Sequence, residues 1–235
     1  MSAGETPKRF YKEAGIFDDA AGFGVALDGR QVKTPGGREF RVPSRALAKL
    51  CAREWAAQRD RIAPASMPLT GLAYAALDTV PARRAELAAH IAKYGETDLV
   101  CHRVDTPASL VRRQSGAWDP ILAWADAGFG LRPPIVAGII ANPSAETVEG
   151  LRAHAAALDD FRLFALAQAT SIAGSAMIGL ALVHGLLDAA QAFAAATIDE
   201  HFSLETWGED AEARARLAKV QQDLDTIGRF IAALA

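Results

Sequence analysis

Beyond Pro68 the apolar residues of this 235-residue chain recur at helical spacing, with almost no strand pattern, and that property rules out a sheet-dominated fold. Thr70 is placed to cap a short helix that stops before Pro81. Residues 81–91 read as the next helix, with a pattern that can continue to 99 and with Leu87 and Ile91 on one face. Pro120 suits the first turn of a helix that begins after Ser115 and carries Trp118, Ile121 and Leu122. Gly128, Gly130, Pro133 and Pro134 predict a loop. Helices follow over residues 144–158, 160–187 and 188–206, with Gly174 and Gly179 able to bend the second. The last is expected over about 209–234, with Leu217, Val220, Leu224, Ile227 and Ile231 aligned.

Residues 23–43 differ. Val25 and Leu27 run into Asp28-Gly29, whose tolerance of positive φ marks a type I′ hairpin. A strand over 31–34 follows, then the Pro35-Gly36-Gly37 turn and the alternating stretch 39–42. Ser44 is an N-cap candidate for a helix to about Gln58, with Leu47, Leu50, Cys51 and Trp55 as its apolar stripe. Pro64 and Pro68 break the chain. The expectation is an α+β protein with a small β-rich domain over 1–66 and a larger helical domain over 67–235.

Half of the residues are apolar, ample for a core, and the near-neutral charge of −3 gives no footprint for nucleic acid. Basic residues prevail through Ile62 and acidic ones beyond it, which points to regions with different partners. The apolar stretch 169–187 consists mainly of Ala, Gly and Ser, too weak for a membrane span and better suited to a buried helix. Cys51 and Cys101 lack metal-site or redox spacing and read as buried thiols. The first dozen residues have neither the apolar core of a secretory signal nor the character of a transit peptide.

Catalytic signatures are absent. The chain has no phosphate-binding loop and no HExxH, its histidines stand singly, and Gly22-Phe-Gly24 leads to neither a third glycine nor a helix. No catalytic, cofactor or metal residue is assigned. Two clusters remain. Glu96, Asp98, His102 and Arg103 could form a small-molecule or enzymatic site at the domain junction, with Asp98 and His102 as i, i+4 neighbours on a helix. The plainer reading has Asp98 and Arg103 fixing a helix terminus. The other cluster, residues 198–214, carries Asp199, Glu200, Glu205, Glu209, Asp210 and Glu212, with Phe202, Leu204 and Trp207 among them and no Lys or Arg before Arg214. A helix dipole accounts for the acids after Gly208 but not for those before it. The segment therefore reads equally well as a face that binds a protein partner.

Taken in order, a series of islands stands out along the chain. They are Arg9-Phe10-Tyr11-Lys12, Leu27-Asp28-Gly29-Arg30 with Lys33-Thr34-Pro35, Glu54-Trp55 with Gln58, and Pro68-Leu69-Thr70. Tyr94-Gly95-Glu96-Thr97-Asp98-Leu99 with Cys101 and Arg103 is the most specific. Trp118-Asp119-Pro120, Gly174-Ser175 and Asp199-Glu200 with Trp207-Gly208 complete the series, which resembles the F-type ATP synthase assembly chaperones that act on the alpha subunit, while His102 and Ser203 depart from that family's pattern. The resemblance implies a two-domain, non-enzymatic, cofactor-free protein. It would hold the unassembled alpha subunit, cover the surface destined for beta and yield it when beta arrives. It implies a functionally important glutamate after the Trp-Gly pair, for which Glu209 and Glu212 are both eligible and Glu212 is favoured. Client contact is thus expected at Phe202, Leu204, Glu205, Trp207, Glu209, Asp210 and Glu212. A monomeric bacterial, cytoplasmic protein is expected, neither inserted in a membrane nor bound to nucleic acid.

Overall fold

A computed structural model describes residues 7–20, 22–137, 144–208 and 210–235. The chain forms two compact units, one of residues through Ala82 together with Arg229–Ala235, the other Arg83–Gly228. The division lies beyond the residue-66 boundary that Pro64 and Pro68 suggest, because the helix after Pro68 is tied to the first unit.

In the first unit, β1 (Ala14–Asp19), β2 (Gly22–Leu27) and β3 (Arg30–Gln31) form an antiparallel sheet in that order, with Ile16 opposite Val25. The hairpin stands where Asp28-Gly29 places it: Leu27 pairs with Arg30, and both turn residues have positive φ, 47° and 78°. Strand β1 is the element the sequence pattern does not announce. Gly24 has a packing role, not a phosphate-binding one, since a Cβ there would stand 2.5 Å from the Phe40 carbonyl oxygen and run into the Phe17 ring.

Helix α1 (Arg45–Ala56) packs on this sheet and buries Leu47, Cys51 and Trp55 among Val25, Phe40 and Val42. Ser44 caps it as expected, accepting from Leu47 N at 3.0 Å. Helix α2 (Pro68–Asp78) corrects the Thr70 expectation. Thr70 lies inside the first turn, and its cap is Glu54 of α1, whose carboxylate accepts from Leu69 N (2.9 Å), Thr70 N (2.8 Å) and Thr70 Oγ1 (2.7 Å). A charged acceptor on two amides that the helix cannot satisfy itself is a strong tether. Asp78, at the other end of α2, accepts from Thr34 Oγ1 and Gly36 N.

The second unit is helical apart from β4 (His102–Arg103) and β5 (Val136–Ala137), a short parallel pair. The unit boundary falls within α3 (Val80–Lys93), after which come α4 (Ala108–Phe129), α5 (Ala145–Ala157), α6 (Asp160–Ala173) and α7 (Ala176–Val183). Helices α8 (Ala189–Ala196), α9 (Ile198–Trp207) and α10 (Ala211–Ala232) complete the chain. Helix α4 starts earlier than Pro120 suggested, and Pro120 sits in its interior. The expected 160–187 helix divides because Gly174 adopts φ 64° and Ser175 recaps α7 through Ile178 N. All eight residues of α7 are buried, and a Cβ on Gly179 would meet Thr170 Oγ1 at 2.8 Å, so α6 and α7 pack through small residues. No helix of the described residues is long and apolar enough to cross a membrane. Cys51 and Cys101 are free and buried.

His154 and His184 meet Nε2 to Nε2 at 2.8 Å against the Phe129 ring. Burial holds both below the usual imidazole value; the partner ring adds to the effect on His154, and the Arg162 charge to that on His184. The unfolded chain therefore binds more protons than the folded one near pH 6.5, and the pair's stabilisation, complete above that pH, is lost as pH falls. Thermal unfolding at pH 7.5 and 5.5 checks this: Tm should drop toward acid, and the drop should shrink in His184→Gln.

Candidate functional surface at the α9–α10 turn

Helix α9 ends where Trp207 meets Gly208, whose φ of 95° suits glycine alone. Trp207 is left 86% exposed. That is an unusual position for the largest apolar side chain. Past the glycine, Asp210 turns its carboxylate on Glu212 N and Ala213 N at 3.2 and 3.3 Å and so caps α10. Glu212 is exposed in the first turn of α10. Glu209 lies outside the described residues.

The acids before the glycine have partners inside the second unit. Asp199 accepts from Gln114 Nε2 at 2.8 Å, and Glu200 pairs with Arg216 at 3.3 Å. Glu205 takes both Arg113 nitrogens, at 2.9 and 2.7 Å, and this fork lowers its carboxyl pKa while raising that of Arg113. The Arg113 guanidinium also covers the Phe202 ring at 5.4 Å. Fold-level pairing accounts for the three acids that the helix dipole leaves unexplained.

Two adjoining grooves share Phe193 and His201. The larger, about 580 Å³, is walled by Arg113, Ala117, Leu187, Phe193, Ile198 and His201. The smaller, about 380 Å³, takes in Leu204, Glu205 and Leu217. Of the residues expected to meet a client, Trp207, Asp210 and Glu212 are exposed at the turn, Leu204 and Glu205 line a groove, and Phe202 lies under Arg113. Arg113, Phe193 and Ile198 belong to the same surface and escape the sequence reading. Phe193 looks like one more core position in an Ala-rich helix, and Arg113 lies 92 residues from its partner.

The rival cluster takes on a structural role. Asp98 is 1% exposed and accepts from Ala176 N (2.7 Å), Met177 N (3.2 Å) and Val100 N (3.2 Å), so one carboxylate caps both α7 and the 3₁₀ turn Leu99–Cys101. Burial pushes its pKa up to about 6, against the pull of the Ser175 hydroxyl and the three amides. His102 begins β4, so the expected helical i, i+4 pairing with Asp98 does not occur. Arg103 donates to the Val100 carbonyl and to Asp119, both at 2.9 Å, with its guanidinium 5.0 Å from the Trp118 ring centroid. Glu96 is exposed. Among the described residues no three His, Cys, Asp or Glu side chains gather as metal ligands would.

The model of a family described as ATP12 chaperone protein matches residues 8–126. The mitochondrial protein atp12 of Schizosaccharomyces pombe is 26% identical over 223 residues, covering 87% of this chain and 75% of its own length. The crystal structure of Atp12 from Paracoccus denitrificans superposes with a TM-score of 0.91 at 37% identity, over 97% of this chain and 99% of that one. The Atu1473 protein from Agrobacterium tumefaciens gives a TM-score of 0.89 at 35% identity, over 97% of this chain and 87% of that one.

Proposed function

Because the chain belongs to the ATP12 chaperone family, which serves ATP synthase assembly and is not enzymatic, we propose that it holds the unassembled alpha subunit until the beta subunit replaces it. The observation that carries this reading is the 86% exposed Trp207, set at a turn beside an apolar double groove. Exposed apolar surface of this kind is retained where a partner covers it. An orphan subunit of a mixed ring has the matching problem, an apolar face with no mate. Reversible cover needs no nucleotide cycle: a standard interface of about 1,600 Å² spans micromolar to picomolar affinity, and a tighter partner displaces a weaker one. The client contact comprises Trp207, Leu204 and Phe202 as apolar area, with Glu205, Glu209, Asp210 and Glu212 setting orientation. The protein works as a cytoplasmic monomer.

Retention of alpha subunit on the immobilised chain tests this reading. Trp207→Ala and Glu212→Lys should each weaken retention by roughly tenfold, about 1.4 kcal/mol, and added beta should release the bound alpha. Neither side chain is buried, so Tm should move by less than about 2 °C. Unchanged retention in both variants would remove the turn from the client site.

A further inference from the structure

The apolar surface of the larger groove does not stop at its wall. Leu187 shares that wall with Ala117, and three residues earlier on the same turn His184 stands against Trp124, with ring centroids 6.0 Å apart. The turn between α7 and α8 thus runs alongside α4, on which Arg113, Ala117 and Trp124 recur at i, i+4 and i+11 as one stripe. Trp124 meets Phe129 at 5.0 Å, and Phe129 meets His154 at 4.6 Å and His184 at 5.1 Å. Leu186, between His184 and the groove residue Leu187, is 39% exposed, while Trp124, Phe129 and His154 are half-buried. One strip therefore leads from the groove to an aromatic and imidazole cluster within the second unit.

Its chemistry differs from that of the acidic turn. The Nε2 atoms of His154 and His184 lie 2.8 Å apart, so one ring donates to the other. Burial, with the His184 ring acting on His154 and the Arg162 charge on His184, keeps both imidazoles neutral at pH 7. Charges on the surrounding helices are paired among themselves: Asp126 at the end of α4 with Arg132 at 2.6 Å, Glu149 with Arg152 on α5 at 3.2 Å, and Asp159 with Arg162 at the start of α6 at 2.7 Å. Trp124 and Phe129, the rings of α4 against the pair, carry no charge. Such a strip suits an uncharged apolar partner surface.

We infer, on the reading that the chain holds the alpha subunit, that the client footprint extends beyond the turn and the larger groove, over Leu186, Trp124, Phe129 and the His154–His184 pair, where an uncharged apolar part of that subunit lies, and that the client is held more tightly when the pair is neutral. An apolar cover removes the water that would solvate an imidazolium, so client binding lowers the affinity of the pair for protons. By linkage, retention is full where the pair is neutral and is lost as pH falls through its titration.

The test is retention of alpha subunit on the immobilised full chain, at pH 7.5 and 6.0, for the unaltered protein, Leu186→Lys and the double variant His154→Gln with His184→Gln. Leu186→Lys should weaken retention at pH 7.5 by at least about tenfold, since it sets a charge against an apolar surface. From pH 7.5 to 6.0 the unaltered chain should lose at least about threefold more retention than the double variant. His201 and the client's own groups contribute alike to both chains, so the difference reports the pair. Should the double variant not fold, His184→Gln carries the same comparison. Undiminished retention by Leu186→Lys, or an equal fall with pH in the double variant, would overturn the extended footprint and leave the turn as the client site. No retention by the unaltered chain, with both proteins folded, would overturn the holding function and this footprint with it.

Discussion

Asp98→Ala should lower stability by about 3 kcal/mol and Tm by roughly 6–12 °C. One buried carboxylate accepts from Ala176 N, Met177 N and Val100 N, so its removal leaves three amides in the protein interior without an acceptor. Two of these amides open α7, all of whose residues are buried, so water cannot take the carboxylate's place cheaply. The pH dependence separates this capping role from a surface one. Asp98 titrates near 6 in the fold, against 3.8 for an unperturbed aspartate, because burial outweighs its hydrogen bonds. A carboxyl raised on folding stabilises most below its unfolded value, and that contribution falls as pH rises through the folded one. Asp98→Ala should therefore cost more at pH 4.5 than at pH 7, and Asp98→Asn, which keeps one acceptor oxygen, should cost less than Asp98→Ala at neutral pH. Chemical denaturation at the two pH values checks both orderings.

Trp118→Ala should cost about 3–5 kcal/mol, the usual range for emptying a buried aromatic site. Trp118 is the largest fully buried side chain, and its indole donates to the Ala195 carbonyl at 2.8 Å. That bond ties α4 to α8, the two helices that supply Ala117 and Phe193 to the larger groove. Loss of the ring should thus loosen the groove as well as the core, and client retention should fall together with Tm. Trp118→Phe fills most of the volume but leaves the carbonyl unpaired, at about 1–2 kcal/mol. The contrast with Trp207→Ala matters: one tryptophan should affect both readouts, the other retention alone.

Local signals in the chain were those that could be read in advance. Asp28-Gly29 sets its hairpin because only a residue pair tolerant of positive φ closes a two-residue loop, and Ser44 caps α1 because a hydroxyl there meets Leu47 N. Helix α4 starts well before Pro120: a proline is cheapest in a first turn, yet packing of Trp118 and Ile121 outweighs that preference. Strand β1 carries little sequence signal because Ala14–Asp19 is only half-buried at most and ends in two aspartates, which blurs the alternation. Glu54, Asp98 and Glu205 show what a linear reading cannot reach. Each was visible as an acid, but its role comes from partners 15, 78 and 92 residues away. The turn at Trp207-Gly208 could be found from composition; the grooves beside it could not, because Arg113 of α4 joins Phe193 of α8 and Ile198 of α9 only in the folded chain.

Light scattering of refolding alpha subunit tests the central claim most directly. With this chain present, aggregation should be suppressed and the suppressed material should pass into alpha–beta assemblies once beta is added. Undiminished scattering, with both proteins folded, would contradict the account.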